Sequence, residues 1–275
     1  MQRRSFLTLF AAAGLSACSA PGAPTPDPMS SQPAAPASTA PATELAFNRG
    51  GDRPLPTKIW LPAGNGPHPL IYFSHGLTSQ PNDYAGLLAA WAAAGFLVAG
   101  PKYPHTWYEA PEYNADDVVN QPADAQYVIT ELLKSLGGLI DPQRIAAAGH
   151  SAGAITTVGL FSGSRDTRLM AGLMIAGRQM AQPSPFAGPA APLLFIQGKK
   201  DKTVTYEQAY GAYNEVPWPK GFLEIPDAGH LPHQDEPALV AATTTDFWRW
   251  TLNGDQAARQ RLPQEVESAM LTSTF

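Results

Sequence analysis

The sequence predicts an α/β fold in which a mostly parallel central sheet is flanked by helices. Three observations lead there. From about Glu44 onward, short apolar runs of strand length alternate with stretches of helical period, as a parallel sheet with crossover helices requires. Turn formers, notably His75-Gly76, Gly95 and Gly137-Gly138, punctuate the runs. With 275 residues, 44% hydrophobic and 15% charged, the chain is long enough to bury one sizeable core but hardly two.

Taken in order, Leu70–Phe73 reads as a short buried strand, and Pro81–Ala94 as a helix with Leu87, Leu88 and Trp91 on one side. Phe96–Ala99 is the next strand. An aromatic-rich loop, Tyr103 to Tyr113, leads to a helix over Pro122–Leu136, whose Val128, Ile129, Leu132, Leu133 and Leu136 share a face. Ile145–Ala148 is a strand that runs straight into Gly149-His150-Ser151-Ala152-Gly153 and a small-residue helix ending near Phe161. Strands over Leu173–Ala176, Leu193–Ile196 and Phe222–Ile225 follow, with a helix from about Tyr206 to Tyr213 and a last one over Pro237–Leu252. There is no internal repeat. Only about sixteen residues separate Ala176 from Leu193, so little or no lid is expected.

The first residues read as an address. Arg3-Arg4 precede a ten-residue apolar run, Phe6–Leu15, too short to span a bilayer, and the segment resembles a signal peptide with a twin-arginine-like pair. Leu15-Ser16-Ala17-Cys18 resembles a lipoprotein lipobox, which makes Cys18, the only cysteine, the expected lipidation site. Ser19 to Thr43 is mostly Pro, Ala, Ser and Thr and has too little apolar surface to offset chain entropy. The expected organisation is thus a signal peptide over 1–17, a lipidated cysteine and disordered tether over 18–43, and one folded domain over 44–275. An exported lipoprotein, anchored to a membrane and facing the periplasm or cell surface, would follow. The formal charge of −5 becomes −7 without Arg3 and Arg4, which disfavours nucleic acid as a partner.

Gly-x-Ser-x-Gly is a weak pattern alone, but here it sits between an apolar strand and a helix, where a tight strained turn lifts a serine hydroxyl above the sheet edge. Ser151 is therefore the expected nucleophile, with a helix N-terminus under the reacting oxygen. A serine hydroxyl needs a base, and the base needs a carboxylate to fix its tautomer. In this architecture the chain order is Ser, acid, His. Asp201, after the strand ending at Gly198, supplies the acid, with Asp227 as the fallback; His230, in the loop after Ile225, supplies the base. His233 competes with it, and the pair could be read as metal ligands, but nothing completes such a site, so no metal is expected. His150 reads as packing. The oxyanion donors are expected to be the backbone N–H groups of Ala152 and Leu77, Gly76 letting the earlier loop turn toward the serine.

With these residues in place the chain resembles the α/β-hydrolase superfamily over residues 57–252. FSHGLTSQPNDYAGLLAAWAAAGFLVAGPKYPHT, QPADAQYVITELLKSLG and GHSAG resemble the branch of chlorophyllase-like, dienelactone-hydrolase-like and platelet-activating-factor-acetylhydrolase-like esterases, with cutinases and polyester hydrolases nearby. The resemblance implies a cofactor-free serine hydrolase that cleaves carboxylic esters through an acyl-enzyme. True dienelactone chemistry uses a cysteine nucleophile, which Ser151 replaces. The places where polyester hydrolases carry an aromatic, a Met and a Trp hold Leu77, Ala152 and Gly177-Arg178, against a polymer clamp. His75, Tyr103, His105, Trp107 and Arg178 are candidates to bind substrate, although the His75 side chain is expected to hydrogen-bond the surrounding backbone and the aromatic loop reads equally as packing. The expected partner is a small ester of short or medium acyl chain. Acyl transfer or peptide cleavage by the same triad, and a lipid-anchored binding protein without turnover, are the alternatives.

Overall fold

Residues that alternate between the two faces of one sheet build this molecule. The structure is a computed structural model and describes residues 43–262 and 269–275, with the backbone of 265–266. The expected signal peptide, Cys18 and nearly all of the expected tether lie outside the described residues.

Strands β1 (Thr43–Arg49), β2 (Arg53–Trp60), β3 (His68–Ser74), β4 (Leu97–Pro101), β5 (Ile140–His150), β6 (Leu169–Ile175), β7 (Leu193–Gly198), β8 (Lys220–Ile225), β9 (Glu265–Val266) and β10 (Ala269–Ser273) form one ten-stranded sheet. Their order is β1-β2-β4-β3-β5-β6-β7-β8-β10-β9. From β4 to β8 every pairing is parallel, and β1, β2, β9 and β10 add antiparallel margins. The predicted parallel centre is therefore present, widened by two hairpin-like flanks that periodicity did not reveal. Pro54 and Pro56 break the strand signature of β2, and β1 is half exposed along its length.

Helices α1 (Ala85–Ala93), α2 (Gln121–Ser135), α3 (Ala152–Phe161), α4 (Tyr206–Asn214), α5 (Pro232–Asp235), α6 (Pro237–Asn253) and α7 (Gln256–Arg261) complete the fold. The expected helix from Pro81 opens as a 3-10 turn, Pro81–Tyr84, before α1 begins. Side chains of β3 show how the layers are filled: Leu70 and Tyr72 belong to a buried cluster with residues of α2, α3 and α4, while Ile71 and Phe73 belong to one with residues of α1 and α6. In the second layer, Trp91 of α1 meets Trp248 of α6 edge to face at 5.7 Å and donates its indole N–H to Thr244 at 2.9 Å.

β4 and β5 lie on opposite sides of β3, so the crossovers diverge there and leave a crevice at the carboxyl ends of β3 and β5. Ser74 and His150 end those two strands. The residues expected to act are thus delivered to one spot by topology.

Candidate active site

At the end of β5 the backbone turns so abruptly that Ser151 takes φ 54° and ψ −119°, a region a side-chain-bearing residue enters only under strain. Two neighbours hold it there. Its N–H donates to the Ile175 carbonyl of β6 at 2.9 Å, and its carbonyl accepts from Ile155 N–H in the first turn of α3 at 3.0 Å. The turn closes only because both flanking positions lack a side chain: a Cβ on Gly149 would stand 2.1 Å from the Gly153 carbonyl oxygen, and one on Gly153 1.9 Å from that of Ser74.

Asp201 and His230 come from loops laid side by side, since Lys200 N–H donates to the Ala228 carbonyl at 3.0 Å. One oxygen of the Asp201 carboxylate accepts from Thr203 N–H at 2.8 Å and Val204 N–H at 3.0 Å; the other accepts from Gln197 at 3.2 Å and His230 Nδ1 at 2.7 Å. An ionised carboxylate only accepts, so His230 carries its proton on Nδ1 and presents Nε2 as an acceptor. Ser151 Oγ lies 2.9 Å from that nitrogen. Asp227, the fallback acid, is instead exposed and paired with Lys200 at 2.6 Å. His233 is buried, stacked on Tyr84 at 5.0 Å and edge-on to His150 at 4.8 Å, and burial holds it neutral down to about pH 4. His150 is buried too and bonded at both ring nitrogens, to Tyr84 Oη and to the His230 carbonyl.

In the loop after β3, Gly76 N–H donates to Tyr84 Oη at 3.1 Å and Thr78 N–H to the Thr106 carbonyl at 2.7 Å. Leu77 N–H lies between these two fixed points. The loop passes close beside the serine, because a Cβ on Gly76 would come within 3.2 Å of Ser151 Cβ. Ala152 opens α3, so its N–H has no carbonyl one turn earlier to accept it. Leu77 and Ala152 both line a cavity of about 230 Å³, walled further by Val118, Ile155, Arg178 and Met180. A hydroxyl within reach of an oriented imidazole, at the N-terminus of a helix, is equipped to attack a carbonyl, with the helix dipole favouring the negative charge that develops.

The expected substrate contacts need correction. His75 is wholly buried, its Nδ1 donating to the Gly76 carbonyl at 2.8 Å and its Nε2 accepting from Tyr103 N–H at 3.1 Å. Tyr103 is equally buried, with its hydroxyl bonded to Tyr72 and Ser74. Both shape the loops from beneath rather than face a ligand. His105 and Trp107 are half-buried but do not line the cavity; His105 is bonded to the Glu112 carbonyl at 2.9 Å, and Lys102 lies 4.0 Å over the Trp107 ring. Arg178 does line it. The sequence reading missed Val118, Ile155 and Met180; of these, only Ile155, one turn beyond the serine, carried a usable signal.

The family model described as Chlorophyllase matches residues 42–179, just over half of the chain, from β1 through the Ser151 turn to Gln179. The chain belongs to the chlorophyllase family. As a chlorophyllase-family protein it is a hydrolase of ester bonds on an α/β-hydrolase fold. Among curated proteins none matches it. The chlorophyllase-family match ends before Asp201 and His230, which meet Ser151 only through folding.

Proposed function

We propose that the protein is a serine carboxylic ester hydrolase working through an acyl-enzyme on short- or medium-chain esters. Ser151 Oγ adds to the ester carbonyl as His230 Nε2 takes its proton, and Asp201 stabilises the imidazolium formed. The carbonyl oxygen, now an oxyanion, is received by the N–H groups of Leu77 and Ala152. Collapse expels the alcohol, which takes the proton back from His230. Water, deprotonated by the same nitrogen, then releases the acid and restores Ser151. The observation that carries this reading is the pair of contacts His230 makes, 2.9 Å to Ser151 Oγ and 2.7 Å to Asp201. A cavity of about 230 Å³ beside the serine supports a modest acyl chain.

The test is labelling with a fluorophosphonate together with hydrolysis of p-nitrophenyl esters. Wild type should label and turn over, and Ser151→Ala should do neither. Absence of labelling in wild type would leave a binding protein of the same fold. Faster cleavage of peptide anilides, or transfer to added alcohol in preference to water, would replace ester hydrolysis with one of the other triad chemistries.

We propose also that the chain is exported and held to a membrane by a lipid on Cys18, on the strength of the leader's sequence alone. Cys18→Ala should move the protein from the membrane fraction to the soluble exported fraction; retention in the membrane would remove the anchor from the account.

A further inference from the structure

His150 sits one residue before the serine, its ring 5.0 Å from that of His230, and both its ring nitrogens are spent on the site's two outer loops. The His230 carbonyl can only accept, so His150 Nε2 donates to it, at 2.7 Å. The neutral ring then offers Nδ1 as an acceptor, and the Tyr84 hydroxyl donates to it at 2.8 Å. Tyr84 oxygen in turn accepts the N–H of Gly76 at 3.1 Å. The other end of Gly76 is fixed as well, its carbonyl receiving His75 Nδ1 at 2.8 Å and the Ser79 hydroxyl at 2.9 Å.

We propose that His150 is a positioning residue: it clamps the backbone of the base, His230, and through Tyr84 the loop bearing the Leu77 N–H, so that base, nucleophile and oxyanion donor are held in register by one side chain on the nucleophile's own turn. The inference rests on the hydrolase reading above. A buried histidine that only filled space would have its nitrogens bonded to nearby core groups. Here the two bonds run to separate loops, one after β8 and one after β3, whose relative placement sets the catalytic geometry. Burial drops its pKa to about 3 and so keeps the ring neutral, while the His230 carbonyl, which only accepts, fixes the proton on Nε2. Protonated, it would donate at both nitrogens, and the Tyr84 hydroxyl would have to turn away from it.

The test uses the purified full chain as wild type, Tyr84→Phe, His150→Leu, His150→Gln and the Tyr84→Phe/His150→Leu double variant. Fluorophosphonate titration counts active sites, so that kcat on p-nitrophenyl butyrate is expressed per competent site and losses from misfolding drop out. A misplacement of about 1 Å costs up to about a hundredfold in rate. His150→Leu should therefore lose roughly ten- to a hundredfold in kcat per site with KM changed by less than about threefold. His150→Gln, whose amide can still donate to the His230 carbonyl, should recover part of that. Tyr84→Phe removes one hydroxyl and should lose roughly three- to tenfold, with the double variant no worse than His150→Leu alone by more than about twofold, since both act in one unit. Values of kcat per site within about twofold of wild type in Tyr84→Phe and in whichever His150 variants fold would overturn the clamp. So would losses that multiply in the double variant. If wild type itself fails to react with the fluorophosphonate, the hydrolase reading falls, whereas a labelled wild type with indifferent variants removes only the clamp.

Discussion

Arg53 grips Asp117 with two parallel bonds, Nη1 to Oδ1 at 2.9 Å and Nη2 to Oδ2 at 2.8 Å, and with the same guanidinium reaches both oxygens of Asp124. Both carboxylates are buried, and their hydrogen bonds, Asp124's first, push the arginine's pKa above its already high value. Asp117 belongs to the 3-10 turn Ala115–Asn120, whose Val118 and Val119 wall the cavity beside Ser151. A strand at the margin of the sheet thus braces one side of the candidate site.

Removing that cation should be costly. Arg53→Met leaves Asp117 and Asp124 buried with, among the described residues, only Arg49, 2.6 Å from Asp124, paired to them. Breaking a buried pair from one side typically costs about 3–5 kcal/mol, and urea unfolding should register a loss of that order. Arg53→Lys should restore only part, because one ammonium cannot serve two carboxylates bidentately. A loss below about 1 kcal/mol for Arg53→Met would mean the cluster contributes no more than a surface pair.

Gly153 offers a sharper contrast. An added methyl would stand 1.9 Å from the Ser74 carbonyl oxygen and 2.7 Å from that of His75, both backbone atoms that cannot step aside. Gly153→Ala should therefore separate α3 from β3, lowering Tm by more than about 10 °C or preventing folding. Gly86→Ala, in α1 with nothing within 4 Å of the new Cβ, should be neutral or stabilise by up to about 1 kcal/mol. Equal effects in thermal melts would contradict the close approach.

How far the sequence could be read follows from the same packing. The strand-to-helix junction at Ser151 was legible because the turn demands small residues at Gly149 and Gly153, a constraint local to five positions. Asp201 and His230 were legible through strand ends and chain order. The backbone-bonding role expected of the His75 side chain is the one it has, whereas Tyr103 stayed open because loop aromatics look alike whether they face a ligand or, as here, lie beneath it. Tyr84 gave no sign of its bonds to Gly76 and His150, since helical periodicity records burial and not hydrogen bonding. The flanking strands escaped for a related reason: β10 is recruited by its register on β8, Met270 opposite Glu224, a tertiary event with little local signature.

Three buried histidines set an acid limit on stability. Burial lowers the pKa of His75 to about 4, of His150 to about 3 and of His233 to about 4, against an ordinary value near 6.5. The unfolded chain takes up these protons first, so the stabilisation is complete above about pH 6.5 and is lost as pH falls toward the folded values. Each ring removes up to about 1.4 kcal/mol per pH unit within that window. Tm should drop steeply from pH 6.5 to pH 4.5, and a flat profile there would show that the rings are hydrated in solution.

Ile155 should set how long an acyl chain the site accepts. It lies one turn past Ser151 on α3, bonded through its N–H to the Ser151 carbonyl at 3.0 Å, and its side chain faces the cavity with Ala152 and Met180. About 230 Å³ amounts to roughly eight water volumes, so the space is limited and apolar for most of its lining. Each methylene moved out of water is worth about 0.8 kcal/mol, which means that room for two more carbons translates to roughly tenfold in kcat/KM. Ile155→Ala should shift the best p-nitrophenyl ester to a longer chain by that order, and Ile155→Phe should penalise octanoate over acetate by at least about tenfold. Because the p-nitrophenol leaving group is constant across the series, any change reports on the acyl side. An unaltered chain-length profile in both variants would place the acyl group elsewhere and leave this cavity to the alcohol.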